Sequence, residues 1–382
     1  MSNHTWRLLD VDGANTLRDV AADFDPDVNP AYPANSPWHG NSGPPAMMKS
    51  WNGMGWRSDA NEMFGFLLGG HGNYGGNEGY RIRLDAEAPA WTMTGYPSGA
   101  KGTASLGFDR AREWLFADGR PRAMHVHDYL LYCPYDDSYL VMGGNSPWAA
   151  SWTRASRRVW QMDPDSGRYT LRATHASQAN HDHCGACWDS ASEVAWVLSD
   201  AGGPGISRFD PADDSFVSMG LGATDTHNFS STLVYDPVRD VVLVFGRSMA
   251  SAFRVYGKRG GAVTSLYTPG RIVGTPPSRP DLYGPAVAYI PQCDRFVVWS
   301  QSGTVYPRTD FYVLTPPRSD PLEGTWTWSR HQPVAANTVS PSAAQANGTY
   351  GRMVWSSTLE AIMLVNDIDE YFYAYAIDGG ML

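Results

Sequence analysis

Charge is scarce in this chain. Only 18% of its 382 residues are Asp, Glu, Lys or Arg, and the formal net charge is −10. No cluster of basic residues interrupts that acidity, so a nucleic-acid backbone, which needs cations to replace its released counterions, is not an expected partner. Long apolar runs are missing as well. None approaches the roughly 18 residues that span a bilayer as a helix, so membrane insertion is not expected. Residues 1–9 are short and polar, without the apolar stretch of a secretory leader, which points to the cytoplasm or a released particle such as a virion. Cysteines number four, and Cys133, Cys184, Cys187 and Cys293 fall on or beside expected strands, where buried free thiols are the expectation. Gly-x-Ser-x-Gly, Walker, His-Glu-x-x-His and dinucleotide motifs are all absent, so no catalytic residue and no cofactor is assigned. The one Cys-x-x-Cys lies in Asn180–Trp188; in an extended strand Cys184 and Cys187 face opposite ways and cannot grip one ion, so no metal is assigned.

What the chain has in abundance is aromatic rings and turns: 15 Trp, 20 Tyr, 39 Gly and 27 Pro. They recur in a phrase. An aromatic residue, a short polar turn and an apolar run repeat from Trp56, Tyr135, Trp188, Tyr235, Tyr289 and Trp355, ahead of runs such as Val194–Leu198 and Val241–Gly246. A period near 50 residues with short strands inside each unit is the mark of a β-propeller. Each unit then continues with an alternating strand, a turn and a last aromatic-bearing strand, and Asp163-Pro164 and Asp210-Pro211 start tight hairpins there. The expected fold is all-β: six blades of four strands, at about 46–96, 123–172, 180–220, 226–269, 281–330 and 347–378, in one domain.

The sixth unit lacks a fourth strand after Glu370–Asp378, while Thr5–Asp10 has the aromatic, alternating character of the fourth strands elsewhere. The N-terminal strand is therefore expected to complete the last blade and remove two exposed sheet edges. Segments 11–45 and 97–122 stand outside the repeat and read as long loops or insertions that cover one face or meet a partner, with Phe108–Phe116 a short helix.

The apolar runs ending in Leu68-Gly69-Gly70 and Met142-Gly143-Gly144, each followed by an aromatic-bearing strand, resemble the kelch-type, galactose-oxidase-like propeller family. That resemblance implies the fold and leaves function open, because one propeller scaffold carries many activities. A copper radical oxidase of that kind also needs a Tyr cross-linked to a Cys and histidine ligands; Cys133, Tyr283 and His227 are the residue types present, with no local motif around them.

Two candidate ligand surfaces follow. Counting eight residues back from the aromatic anchors gives His127, Asn180, His227, Asp281 and Asn347, which with His181 and His183 form an expected polar ring at the channel mouth. Aromatic loops carrying Trp51, Tyr74, Trp148 and Trp152 offer flat rings beside amides, a combination that suits sugars or proteins. Asp128 and Asp182 are acids of the type a glycosidase pair needs. The expectation is a non-catalytic recognition or structural propeller binding a carbohydrate or protein partner, in the setting of a phage tail or similar larger particle. The alternative is a carbohydrate-active hydrolase or metal-dependent oxidase working at the channel mouth.

Overall fold

The computed structural model describes residues 4–21, 42–70, 73–95, 97–98, 115–116, 118–145, 155–156, 158–174, 184–198, 205–219, 230–246, 252–259 and 262–377. Six antiparallel sheets stand in a ring, a six-bladed β-propeller. Their innermost strands are Gly55–Arg57, Leu130–Cys133, Ala186–Asp189, Thr232–Asp236, Val287–Ile290 and Met353–Ser356, and the sheets are numbered as blades 1 to 6 in that order. Neighbouring innermost strands lie side by side, and the turn before the sixth returns to the first.

The second strand of each blade explains the apolar runs. Glu62–Phe66, Val194–Leu198, Val241–Phe245 and Ala361–Leu364 are buried at every position. A strand hydrogen-bonded on both edges and covered on both faces by neighbouring blades has no solvent side, so the alternation of a half-exposed strand disappears. The outer strand Ser215–Ser218, with nothing beyond it, is only partly buried or exposed at each residue.

Blade 6 closes the ring. Trp6–Leu8 pairs antiparallel with Tyr373–Ala376, Trp6 opposite Tyr375, so the N-terminal strand is the missing fourth strand. Blade 5 carries a fifth strand, Arg271–Val273, running parallel to Thr325–Thr327 on its outer edge, which the repeat pattern did not foretell. Within the first long insertion, Leu17–Ala21 is a short helix started by Thr16, whose N–H and hydroxyl both reach Asp19. Asn15 bonds the backbone of Trp91 in blade 1 and Arg18 pairs with Asp369 in blade 6, so this segment bridges a seam. Residues 108–114 of the expected short helix lie outside the described residues; Leu115 is instead bridged in extended form to Pro121.

The paired glycines of blades 1 and 2 have a local cause. Gly70 (φ +96°) and Gly144 (φ +137°) approach the same piece of backbone from either side: a Cβ would lie 2.6 Å from the His125 nitrogen at Gly70 and 2.8 Å from the His125 oxygen at Gly144. The entry segment of blade 2 runs between them, so neither position accepts a side chain.

Candidate functional site

The innermost strands share one position. Trp56, Tyr132, Trp188, Tyr235, Tyr289 and Trp355 each sit opposite the residue seven further on, across the first hairpin. Tyr132, and not Tyr135, is therefore the equivalent residue of blade 2; Tyr135 lies in the turn, where two tyrosines three apart mislead the count. All six rings line a central cavity of about 480 Å³. Two residues earlier in each strand come Met54, Leu130, Ala186, Leu233, Val287 and Met353, an apolar layer deeper in the same cavity. Two residues later come Ser58, Ser190, Pro237, Pro291 and Ser357, all exposed, which form the open rim. The cavity is a funnel that opens at the hairpin turns.

The hairpins set the rings. In every blade the residue five after the ring aromatic is left-handed: Asn61, Asp137, Glu193, Asp240, Asp294 and Glu360, with φ from 48° to 55°. Wherever the ring residue is tyrosine, that residue is aspartate, and it accepts a hydrogen bond from the phenol: Tyr132 to Asp137 at 2.9 Å, Tyr235 to Asp240 at 2.8 Å, Tyr289 to Asp294 at 3.0 Å. Burial and then this carboxylate bond push the Tyr132 phenol up to about 12, and the same causes act on Tyr289 and Tyr235. In the tryptophan blades Asn or Glu stands there, and among the described residues Nε1 of Trp56 and of Trp355 meets no acceptor.

At the opposite end the described entry segments converge. Five residues before the ring aromatic the chain is again left-handed in the five blades where that position is described, at Trp51, His127, Ser230, Gly284 and Tyr350, with φ from 46° to 76°. Large side chains rarely adopt that backbone, and the packing around it must hold it. The kink turns each entry segment into its neighbour: His127 N–H donates to Trp51 O, Gly53 N–H to His127 O, Asp128 N–H to Cys184 O, Gly284 N–H to Ser230 O and Tyr350 N–H to Gly284 O. A Cβ on Gly351 would lie 2.1 Å from the Met54 oxygen, which completes the plug between blades 6 and 1.

Asp128 is the floor. Part of its surface remains open to the funnel while packed atoms enclose the rest. Backbone N–H groups of Gly351 and Leu233 donate to its carboxyl, and Thr232 touches it. Burial outweighs these bonds and pushes the carboxyl up to about 7. The Thr232 hydroxyl also donates to Pro285 O at 3.0 Å.

Every seam between blades is tied. Arg57 meets Asp137 at 2.8 Å, Arg172 meets Asp214 at 2.7 Å, Lys258 meets Asp189 at 2.5 Å and Arg239 meets Asp294 at 2.5 Å. Trp6 Nε1 donates to Thr309 O at 2.7 Å, and Ser356 donates to Asn61 at 2.6 Å. Arg57 and Lys258 also stand over the rings of Tyr132 and Tyr235, at 4.8 and 5.0 Å. The tyrosine rings of the rim are held from outside by these contacts.

The residues singled out by sequence are dispersed. Asn180, His181, His183, His227, Trp148, Trp152 and Asp182 lie outside the described residues. His127 is buried in the plug, its Nδ1 3.4 Å from the Tyr350 hydroxyl. Trp51, beside it, donates to Tyr283 at 2.9 Å and lies tilted against the His125 ring at 4.9 Å. Asp281 is fully buried and holds Ser278, Tyr312 and the Ser302 backbone, a loop anchor facing no opening. Asn347 donates to Lys49 O at 2.6 Å. Tyr74 is fully buried with its hydroxyl on Glu78, so it offers no surface ring. Burial likewise drives the Cys133 thiol up to about 12, at the rim end of its strand, while Tyr283 lies at the plug end of blade 5. The aromatics that do share an opening are the repeat anchors themselves.

No protein-family model matches the chain, and no curated protein matches it. Solved structures do. A protein of unknown function from Bacteroides thetaiotaomicron is 12% identical over 86% of this chain and 70% of its own, with a TM-score of 0.48. The major allergen Mala s 1 of Malassezia sympodialis is 9% identical over 87% and 93%, with a TM-score of 0.48. A gluconolactonase from Xanthomonas campestris is 10% identical over 86% and 87%, with a TM-score of 0.45. Likeness at this level carries no activity across.

Proposed function

We propose that this propeller is a non-catalytic recognition module that takes a group of its protein or carbohydrate partner into the central funnel. The observation that carries the reading is the ring: six equivalent positions supply three Trp and three Tyr around one opening. Packing alone would not require this. Trp56, Tyr132, Trp188 and Tyr289 are only half-buried at the channel edge, where a smaller apolar residue would fill the sheet as well. A cavity of about 480 Å³ is also of the size that small ligands occupy. Titrating the protein with a glycan panel and a peptide panel while following tryptophan emission tests the reading. Ligands should shift the emission, and Trp188→Ala should weaken them about tenfold or more, the loss typical of an anchoring aromatic. Binding indifferent to Trp188 and Trp355 would remove the funnel as the site.

A second reading has one observation in its favour. Burial pushes the Asp128 carboxyl up to about 7 at the floor of the funnel, the range that suits general acid–base catalysis at neutral pH. Turnover of a bound sugar that disappears in Asp128→Asn would favour the enzyme over the binding module.

A further inference from the structure

Asp128 is the only charged side chain among the described residues that line the funnel. Everything above it is aromatic or aliphatic until the exposed serines and prolines of the rim. That distribution discriminates between ligand classes. A sugar needs several directional partners for its hydroxyls, yet the hydroxyls of Tyr132, Tyr235 and Tyr289 already donate to aspartates. An anion would meet a carboxyl at the floor of a chain whose net charge is −10. A cation meets the reverse: aromatic faces attract it on the way in, and the carboxylate receives it at the end. Two of the ring residues already do this on the rim side, where Arg57 and Lys258 stand over Tyr132 and Tyr235.

We propose that the funnel binds an organic ammonium ion with an apolar body, the charged head pairing with the Asp128 carboxylate and the body lying against the aromatic ring. The assignment rests on the funnel being the binding site. A free amine and the lysine side chain of a protein partner present the same chemistry. Asp128 gives up its proton as the ammonium arrives, so affinity rises with pH through about 7 and falls only when the amine itself loses its proton near pH 10. Of the groups around Asp128, burial holds the Cys187 thiol and the Tyr350 phenol far up, and Thr232, Gly351 and Leu233 bear no charge.

The test uses the full chain and four probes by calorimetry and tryptophan emission: phenethylammonium, its neutral analogue 2-phenylethanol, its anionic analogue 3-phenylpropanoate, and a capped Gly-Lys-Gly peptide. At pH 8 phenethylammonium should bind about tenfold or more tightly than the alcohol, and the propanoate should not bind, the preference expected of one well-placed charge partner. Asp128→Asn, which keeps an oxygen for the Gly351 and Leu233 amides, should reduce the ammonium to the level of the alcohol and abolish the rise with pH. Binding of the peptide selects lysine as the source, and its failure beside a binding phenethylammonium selects a free amine. Equal binding of ammonium and alcohol by the unaltered protein, or no ammonium binding at all, overturns the inference whatever the variant's folding. An alcohol that still needs Trp188 leaves the funnel reading standing; probes that bind without needing Trp188 remove both.

Discussion

Replacing Trp6 with alanine tests the closure of the ring at one side chain. Trp6 is 2% exposed, stacks on Phe311 at 5.3 Å, leans on Tyr375 at 5.1 Å and donates to Thr309 O across the seam between blades 6 and 5. A tryptophan of this kind buries about 200 Å² of surface, worth about 5 kcal/mol at about 25 cal/mol per Å². Substitutions of large buried residues by alanine cost about 3–5 kcal/mol, and the orphaned Thr309 carbonyl adds about 1 kcal/mol. At about 2.1 cal/mol/K of unfolding entropy per residue, a chain of 382 residues loses about 0.8 kcal/mol for each degree, so about 4–6 kcal/mol becomes about 5–8 °C in Tm. Scanning calorimetry of Trp6→Ala beside Trp6→Phe, which keeps the stack and loses the N–H, measures both parts. The phenylalanine variant should lose distinctly less than the alanine one, about 1 kcal/mol for the missing hydrogen bond beyond any loss from its smaller ring. A melt of Trp6→Ala within about 1 °C of the unaltered protein would mean that the first strand does not hold the ring, and the argument from burial would fail.

Acid should weaken the same seam. His331 is held down to about 4, by burial first and then by His4, whose Nδ1 lies 3.3 Å away; Tyr375 and Asp310 are the other ionisable groups facing it. The unfolded chain takes up that proton first, so this stability is present above about pH 6.5 and is lost as pH falls toward 4, by at most about 3 kcal/mol. His331→Gln should flatten the decline in urea midpoint over that range; an unchanged slope would place the acid sensitivity elsewhere. Lys258, fully buried against the equally buried Asp189, should be costly to remove. Lys258→Met leaves Asp189 uncompensated and should cost about 3–5 kcal/mol by denaturant unfolding, and Lys258→Met with Asp189→Asn distinctly less.

The fold was legible because the propeller repeats its own physics six times. A strand buried on both faces reads as an unbroken apolar run wherever it occurs, so Val194–Leu198 and Val241–Phe245 announce themselves without alignment. The closing strand was legible for the complementary reason: the sixth unit runs out of chain where Trp6–Leu8 has the missing pattern. The site was harder. The anchors that revealed the repeat, Trp56 to Trp355, were landmarks whose facing depends on curvature, and nothing in a linear count says that a repeated position lines a channel. One further sign was available: tyrosine anchors are followed at the fifth residue by aspartate, tryptophan anchors by Asn or Glu, a covariation that a packing role alone does not require. Mistaking Tyr135 for the anchor of blade 2 moved the count by three and put His127 into the expected ring, where the true register places Met124. Asp281 looked like a ligand because loop entrances are polar; its partners Ser278, Tyr312 and Ser302 come from segments that only the folded blade brings together.

The pairing of Trp6 with Tyr375 also fixes an order of events during synthesis. Blades 1 to 5 are each built from one continuous stretch of chain, so their hairpins can form as the residues leave the ribosome, at a few to some tens of residues per second. The first strand has no partner until the last has emerged, and bringing the two together closes a loop of nearly the whole chain, an entropy of about 5 kcal/mol in a flexible polymer. Most of that cost has vanished by then, because five finished blades already curve the ends toward each other. A chain halted just before Tyr373 lacks the strand that stands between Trp6–Leu8 and Ala361–Leu364, so both keep an unpaired edge. Stalled copies therefore carry the means to pair with one another, so slow translation of the final blade is the step at which this protein is most exposed to aggregation.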